Sequence, residues 1–334
     1  MATRVRSYSK INLGLAVGPP RPDGYHGLTT VYQTLALHDI VTVQALRAAE
    51  TSITLTADHP GVPSTERGDA GKNTAWRIVA GALKRLGLAA TVSISIEKRL
   101  PVQGGMGAGS ANAAAALLGL ERELGLSLPE ADRLGLGAEV GSDVPLFLLG
   151  GTVLGLGRGE VVSQLGDLPV KPVVIAIPEV GVSTAQAFQE LDKRQQSLTF
   201  QQGTDRLEML SRALAAIWTP SSAEHDSSGI ARRSGDLAEN QLLALVRTGI
   251  ENDFEDVVFS QHPSLRQIKR ELVGSETSGS PLCAGLSGSG SALFGLYESQ
   301  ADARAAQQRV QQSGTRAILT ETLPRDLYWS NMFL

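Results

Sequence analysis

The sequence predicts an α+β protein of two domains, residues 1–165 and 166–334. Three observations carry that reading. The chain has 334 residues, room for two cores at roughly 100–200 residues each. Strand signals fill it as far as Thr56, and helical spacing first appears at Asn73. A second unit of strands and helices begins at Val173, after a change of pattern near Leu165 that sets the boundary.

Taken in order, Ile11, Leu13, Leu15 and Val17 alternate as in a half-buried strand, which puts Lys10, Asn12 and Gly14 together on the opposite face. Three prolines with Asp23 and Gly24 make 19–24 a turn that delivers Tyr25 and His26 at its exit. Strands fit 28–37, 40–46 and 52–56. A polar loop over 58–72 leads to a helix over 73–86, spaced through Trp76, Val79, Ala80 and Leu83 and stopped by Gly87. Val92, Ile94 and Ile96 mark a strand over 91–97. A loop over 101–109 follows, then an alanine-rich helix from Ser110 to about Leu124 and another over 129–140. Two short strands fit 150–165, and a further strand 173–177. The serine- and glycine-rich stretch 220–236 reads as a disordered surface loop without chemistry, and no repeat of solenoid period is present.

Composition narrows the function classes. Thirty basic against 34 acidic residues give a net charge of −4 with no dense run of either sign, so neither nucleic acid nor an anionic membrane is the expected partner. The longest uncharged stretch, 100–120, contains Gln103, Ser110, Asn112 and four glycines in its first ten residues, which is no spanning helix. Arg4, Arg6 and Lys10 without an apolar block argue against a signal peptide. The single cysteine, Cys283, excludes a disulfide framework and a Cys-rich metal site, reads as a small buried hydrophobe rather than a nucleophile, and fits a cytoplasmic location. Five histidines without metal spacing make a zinc site unexpected.

The 36 glycines exceed the usual ~7 %, and they cluster where chemistry is expected. Gly104, Gly105, Gly107 and Gly109 in PVQGGMGAGS leave main-chain amides uncovered just before a helix, whose dipole adds positive potential, so the segment can cradle a phosphate. It is no Walker A loop, because no Gly-Lys-Ser/Thr follows, and Ser110 stands where a dinucleotide fingerprint needs its third glycine. The alternative is a glycine-rich turn capping a helix. A second glycine run, 285–290, is either a flexible turn or a second such loop. Asp143 in GSDVP is a helix N-cap or a catalytic carboxylate set by Gly141 and Pro145. Lys10 is an edge lysine or the partner of such a carboxylate; phosphorylation of a hydroxyl would need the pair. Tyr25 and His26 could stack on a base and hydrogen-bond to it.

Four blocks, SKINLGL (9–15), PVQGGMGAGSANAA (101–114), GSDVP (141–145) and GLSGSGSALF (285–294), resemble in order and spacing those of the GHMP small-molecule kinases. DGYH (23–26) and PEVGVSTAQAF (178–188) resemble the bacterial branch of that superfamily that acts on cytidine-diphosphate methylerythritol in non-mevalonate isoprenoid synthesis. The resemblance implies an N-terminal ribosomal-protein-like α/β domain and a C-terminal ferredoxin-like α+β domain. It implies ATP with Mg²⁺, a small-molecule acceptor, and phosphorylation of its 2-hydroxyl. Residue by residue, Lys10 and Asp143 match the catalytic pair and Asn12 a group holding the diol. Pro101, Gly104, Gly105, Met106, Gly107, Ala108, Gly109 and Ser110 match the ATP phosphate loop, and Asn73 and Lys98 match positions around the adenine. Tyr25, His26 and Phe188 match a cytosine clamp, and Thr184 a substrate contact. The Mg²⁺ ligands and the oligomeric state stay open. Met106 and Ala108 replace the family's usual Leu and Gly, which leaves the backbone donors intact. The 220–236 loop and the tail after Leu323 look like additions on which function should not depend. Competing readings are a GHMP kinase for mevalonate, homoserine or a sugar, and a noncatalytic nucleotide-binding module. A dehydrogenase is disfavoured by the missing fingerprint.

Overall fold

The computed structural model describes residues 2–21, 24–102, 104–195, 251–274 and 280–334. The 220–236 loop and Asp23 of the DGYH block lie outside the described residues. Two long strands, β1 (Thr3–Pro20) and β2 (His26–Arg47), pair antiparallel and found the first sheet. The second half of β2 carries β4 (Ala90–Glu97) and its first half β5 (Thr152–Gly157). β3 (Ser52–Ala57) lies parallel outside β4, and β6 (Val161–Gln164) antiparallel outside β5.

The two strands expected over 28–37 and 40–46 are therefore one. His38 and Asp39 look like a polar break, but here β1 slips register against β2, Tyr8 facing His38 and Ser9 facing Leu35, and the strand continues through the irregularity. Asp39 is fully buried. Its carboxylate accepts from Arg99 N and Leu100 N, each at 2.7 Å, and from Lys98 Nζ. A buried charge is tolerated only with such a donor set. Asp39→Ala, which strands the Lys98 ammonium, is expected to lower stability by about 3–5 kcal/mol. A urea titration that leaves the midpoint unmoved would contradict that role for the pair.

Helices α1 (Thr74–Leu86), α2 (Ala108–Leu124), α3 (Glu130–Val140) and α4 (Val144–Leu149) pack with the first sheet in one core. The alanine run 113–116 of α2 is buried against β1 and β2, where small side chains let the helix axis approach the sheet. The second sheet has the order β10 (Arg316–Glu321), β7 (Pro172–Ile177), β9 (Leu293–Leu296), β8 (Cys283–Leu286), antiparallel throughout. Its core includes residues of α5 (Thr184–Gln195), α6 (Phe254–Gln261), α7 (Pro263–Val273) and α8 (Gln300–Gln312). A third apolar cluster joins the sheets: Ile11, Leu13 and Leu35 from the first, Val173, Ile175 and Phe294 from the second.

The tail after Leu323 is no loose addition. It returns to the first sheet as α9 (Arg325–Ser330), where Tyr328 Oη donates to Phe147 O at 2.5 Å and Trp329 Nε1 to Leu149 O at 3.0 Å. Both acceptors belong to α4, so the tail braces the helix that Asp143 precedes. Among the described residues no helix is long and apolar enough to cross a membrane.

Candidate active site

The period-two pattern of β1 turns Lys10 and Asn12 to one side, and their side chains meet: Lys10 Nζ donates to Asn12 Oδ1 at 2.7 Å. Asn12 Nδ2 donates to Thr30 Oγ1 of β2 at 2.8 Å, which fixes the amide with its oxygen toward the lysine. Lys10 is 3 % exposed, so it is no solvent-edge lysine. Its ammonium lies 3.4 Å from Asp143 Oδ2, the counter-charge a buried cation requires. Asp143 occupies the N-cap position of α4, yet its side chain makes no capping bond. Instead Tyr32 Oη donates to its Oδ1 at 3.0 Å.

Tyr32 stands across the ladder from Asn12, and Lys10 Nζ lies 5.4 Å from its ring centroid, within reach of a cation–π attraction. Burial, and then the negative charge of Asp143, push the Tyr32 hydroxyl well above the usual phenol range. It therefore stays a protonated donor toward the carboxylate at any working pH. Sequence reading passed over it, because an aromatic residue within a strand reads as core.

The phosphate-loop candidate lies against this pair. Lys10 N donates to Met106 O at 3.1 Å, and the buried Met106 side chain anchors the loop in the cluster between the sheets. Gly107, at φ 70°, precedes α2; a Cβ there would meet Phe147 Cζ at 2.8 Å and Lys10 Cγ at 3.1 Å. Only glycine lets the first turn of α2, with its unpaired amides, come this close to Phe147 and the Lys10 stem. Gly109 O accepts from Thr74 Oγ1 at 2.6 Å. Ser110 Oγ would lie 3.6 Å from a Cβ on Gly141, just before Asp143. Pro101 packs beside Gly104, with Cγ 3.6 Å from where a Cβ would stand.

The second glycine run is the floor of the first. Ser287 Oγ donates to Gly105 O at 2.9 Å and Ala292 N to Gly104 O at 3.3 Å. Asn252, which the sequence did not single out, holds this floor: its Nδ2 donates to Leu286 O and Gly288 O, both at 2.8 Å. Its chain neighbours grip β1, with Leu15 N donating to Glu251 O at 3.1 Å and Asp253 N to Leu15 O at 3.0 Å. Asn-Asp ahead of a helix reads locally as a cap, which hides this role.

Other expected site residues are placed as follows. Asn73 caps α1, accepting from Ala75 N at 2.9 Å and donating to Pro63 O at 3.1 Å, and Lys98 is paired with Asp39. The side chains of both are buried, and both bond within the protein. Tyr25 is 54 % exposed. His26 is buried, with Nδ1 3.0 Å from Gly18 O and Nε2 3.3 Å from Asp192 Oδ1. Its ring stacks on Phe188 of α5, centroids 4.9 Å apart and planes at 21°. At that spacing the two rings touch, and no base fits between them. Thr184, which opens α5, shares a 2.7 Å hydrogen bond with Ser289 of the second glycine run. Burial pushes the Cys283 thiol up to about 12, which leaves it protonated and unreactive at neutral pH. Among the described residues no group of three or more His, Cys, Asp or Glu could hold a metal.

Comparison with known proteins places this geometry in context. The GHMP kinases N terminal domain matches residues 73–151, and the GHMP kinases C terminal domain matches 230–316. A 4-diphosphocytidyl-2-C-methyl-D-erythritol kinase of Solibacter usitatus is 37 % identical over 299 residues, 88 % of this chain and 80 % of the relative. One from Caldicellulosiruptor saccharolyticus is 31 % identical over 324 residues, 97 % and 98 % of the two chains. Among solved structures, a 4-(cytidine 5'-diphospho)-2C-methyl-D-erythritol kinase superposes with a TM-score of 0.66 at 25 % identity, covering 96 % of this chain and 98 % of that one. A homoserine kinase from Cytophaga hutchinsonii superposes with a TM-score of 0.68 at 19 % identity, covering 97 % and 95 % of the two chains, and shares the fold.

Proposed function

Because the chain belongs to the GHMP kinases, and within them to the 4-diphosphocytidyl-2-C-methyl-D-erythritol kinases, we propose that Lys10 and Asp143 are the groups that carry its chemistry. It is a small-molecule kinase of non-mevalonate isoprenoid synthesis, with ATP as donor and the 2-hydroxyl of 4-diphosphocytidyl-2-C-methyl-D-erythritol as acceptor. The observation that carries the assignment of roles is the buried contact of 3.4 Å between Lys10 Nζ and Asp143 Oδ2.

Phosphoryl transfer asks for charge neutralisation and alignment more than for base strength. The amides of residues 104–110 and the α2 dipole take the phosphate charge. Asp143 accepts the hydroxyl proton or orients the hydroxyl, and Lys10, 3.4 Å from that carboxylate, supplies its counter-charge and steadies the attacking oxygen. Asn12 holds Lys10 and, with it, the acceptor diol. Mg²⁺ accompanies the triphosphate and supplies further neutralisation when bound. The lack of a carboxylate cage among the described residues fits an ion held mainly by phosphate oxygens, and the Ser110 hydroxyl is the group of this chain suited to join it.

Tyr25, His26, Phe188 and Thr184 form the substrate end, where binding energy at the distant cytosine fixes the diol in line. The contact between His26 and Phe188 means that the base docks against the stack or displaces one ring from it. Asn73 and Lys98 border the adenine as the helix cap and the strand end that shape that wall. Residues 1–165 form the domain with the phosphate loop and the pair, and 166–334 the domain that completes the cleft, apart from the tail after Leu323, which packs back on the first core; the change of sheet between Gln164 and Pro172 supports that division. One cysteine in the chain suits a cytoplasmic enzyme.

A coupled ADP-release assay tests the assignment, with cytidine-diphosphate methylerythritol offered beside mevalonate and homoserine; activity on either alternative but not on the first would overturn it. We further expect Tyr32→Phe to lower kcat by about 10- to 100-fold, the worth of a hydrogen bond to a charged group, with the KM for ATP little changed. Asp143 is faced by Lys10 from β1 and Tyr32 from β2, with Glu160 beside the phenol. Removing the phenol takes one of these donors from the carboxylate and leaves the phosphate loop untouched, so the loss should fall on turnover. An unchanged kcat would make Tyr32 a packing residue only.

A further inference from the structure

A cytidine-diphosphate substrate carries its charge in the middle, between the base and the reacting diol. The structure places a cation over that interval. Arg158 lies in the turn between β5 and β6, flanked by Gly157 and Gly159. On one side, Gly159 abuts the reacting end: a Cβ there would run into Tyr32 Oη and stand 3.9 Å from Asp143 Oδ1. On the other side, the Arg158 guanidinium lies 4.9 Å from the centroid of the Tyr25 ring, at the substrate end. Two adjacent residues of one turn therefore reach from the catalytic carboxylate, at Gly159, to the exposed aromatic of the clamp, at Arg158.

The turn is held from within. Glu160 accepts from Arg158 N through Oε2 and from Arg158 Nε through Oε1, the latter at 3.4 Å. Among the described residues Nη1 and Nη2 make no hydrogen bond. The guanidinium is partly exposed, and its free edge presents two parallel donors, the geometry that matches phosphate oxygens. Lys10 cannot serve there, because Asn12 and Asp143 hold its ammonium. The glycine-loop amides are taken, on the reading above, by the phosphates of ATP.

We propose that Arg158 binds the diphosphate of the nucleotide substrate and thereby sets the preference for a cytidine diphosphate ester over a cytidine lacking the charge. The inference rests on the kinase reading above and adds a specificity-determining contact to it. Glu160 orients the guanidinium, and Tyr25 supports its face.

The test is the affinity of the full-length protein for CDP and for cytidine at one ionic strength, with the ATP site filled by a non-hydrolysable analogue. Wild type should bind CDP at least about tenfold more tightly than cytidine, and Arg158→Gln should reduce that ratio by about tenfold, equivalent to about 1.4 kcal/mol. Arg158→Lys should restore part of it. The ratio is the readout because lost packing on Tyr25 alone weakens both ligands alike. A CDP preference that persists undiminished in Arg158→Gln overturns the proposal while leaving the kinase reading intact. Wild-type protein that binds neither ligand sinks the cytosine clamp, and the proposal with it.

Discussion

Asp143→Ala lowers turnover by about 10²–10⁴, the range for a general acid–base group, and leaves ATP affinity within a few-fold of wild type. The carboxylate touches the two groups that define its task, Lys10 at 3.4 Å and Tyr32 at 3.0 Å, and spends nothing on capping α4. Its removal therefore costs chemistry before it costs the helix. It also leaves the Lys10 ammonium buried beside Asn12 alone, so Asp143→Asn, which keeps the shape and a polar partner, is the companion variant. Steady-state kinetics with ATP and the methylerythritol substrate, set beside urea unfolding of both variants, separates lost turnover from lost fold. A rate near wild type in either would remove Asp143 from the mechanism.

The second large effect is expected at Gly105. Its φ of 73° is left-handed, a conformation that costs an L-residue about 1–2 kcal/mol, and a Cβ there would run into the backbone carbonyl of Ser287. Backbone cannot swing aside as a side-chain tip can, so Gly105→Ala must part the two glycine loops. The expected result is a KM for ATP raised more than about tenfold and a thermal midpoint lowered by several degrees. Gly104→Ala is the contrast. A Cβ there meets Pro101 Cγ at 3.6 Å and Ala292 Cβ at 3.8 Å, ordinary contacts, and it should behave nearly as wild type. Equal damage from both would show that the loop responds to any lost glycine, not to the collision.

Much of this arrangement could be read from local pattern, and what could not be read was long-range. Alternation along β1 is enough to place Lys10 beside Asn12, because strand geometry leaves no other option. Glycine density and the following helix identify an amide cradle. Nothing in the sequence brings Asp143 to Lys10, since 133 positions separate them and only the resemblance pairs them. Tyr32 was invisible because its ring belongs to the core and only its hydroxyl reaches the site. Lys98 matches a position around the adenine by resemblance alone, and its pairing with Asp39, 59 positions away, is a long-range contact that no local pattern shows. The two strands assigned over 28–46 merged for a like reason: Asp39, which would end an exposed strand, is satisfied here by the amides of residues 99 and 100, and His38 lies against Ala36 O. That the tail braces α4 was not legible, because a short C-terminal helix shows no partner until α4 is in place.

The strand that carries Lys10 also carries Leu15, and the segment around Asn252 grips the latter while supporting the second glycine run. Swinging the halves apart like a jaw would thus have to break the hydrogen bonds at Leu15 of one continuous extended segment before it widened the cleft. On the proposed reading, with Tyr25 and Arg158 at the partly exposed rim, product escape should respond to changes in those two side chains rather than to stiffening of the 165–172 connection.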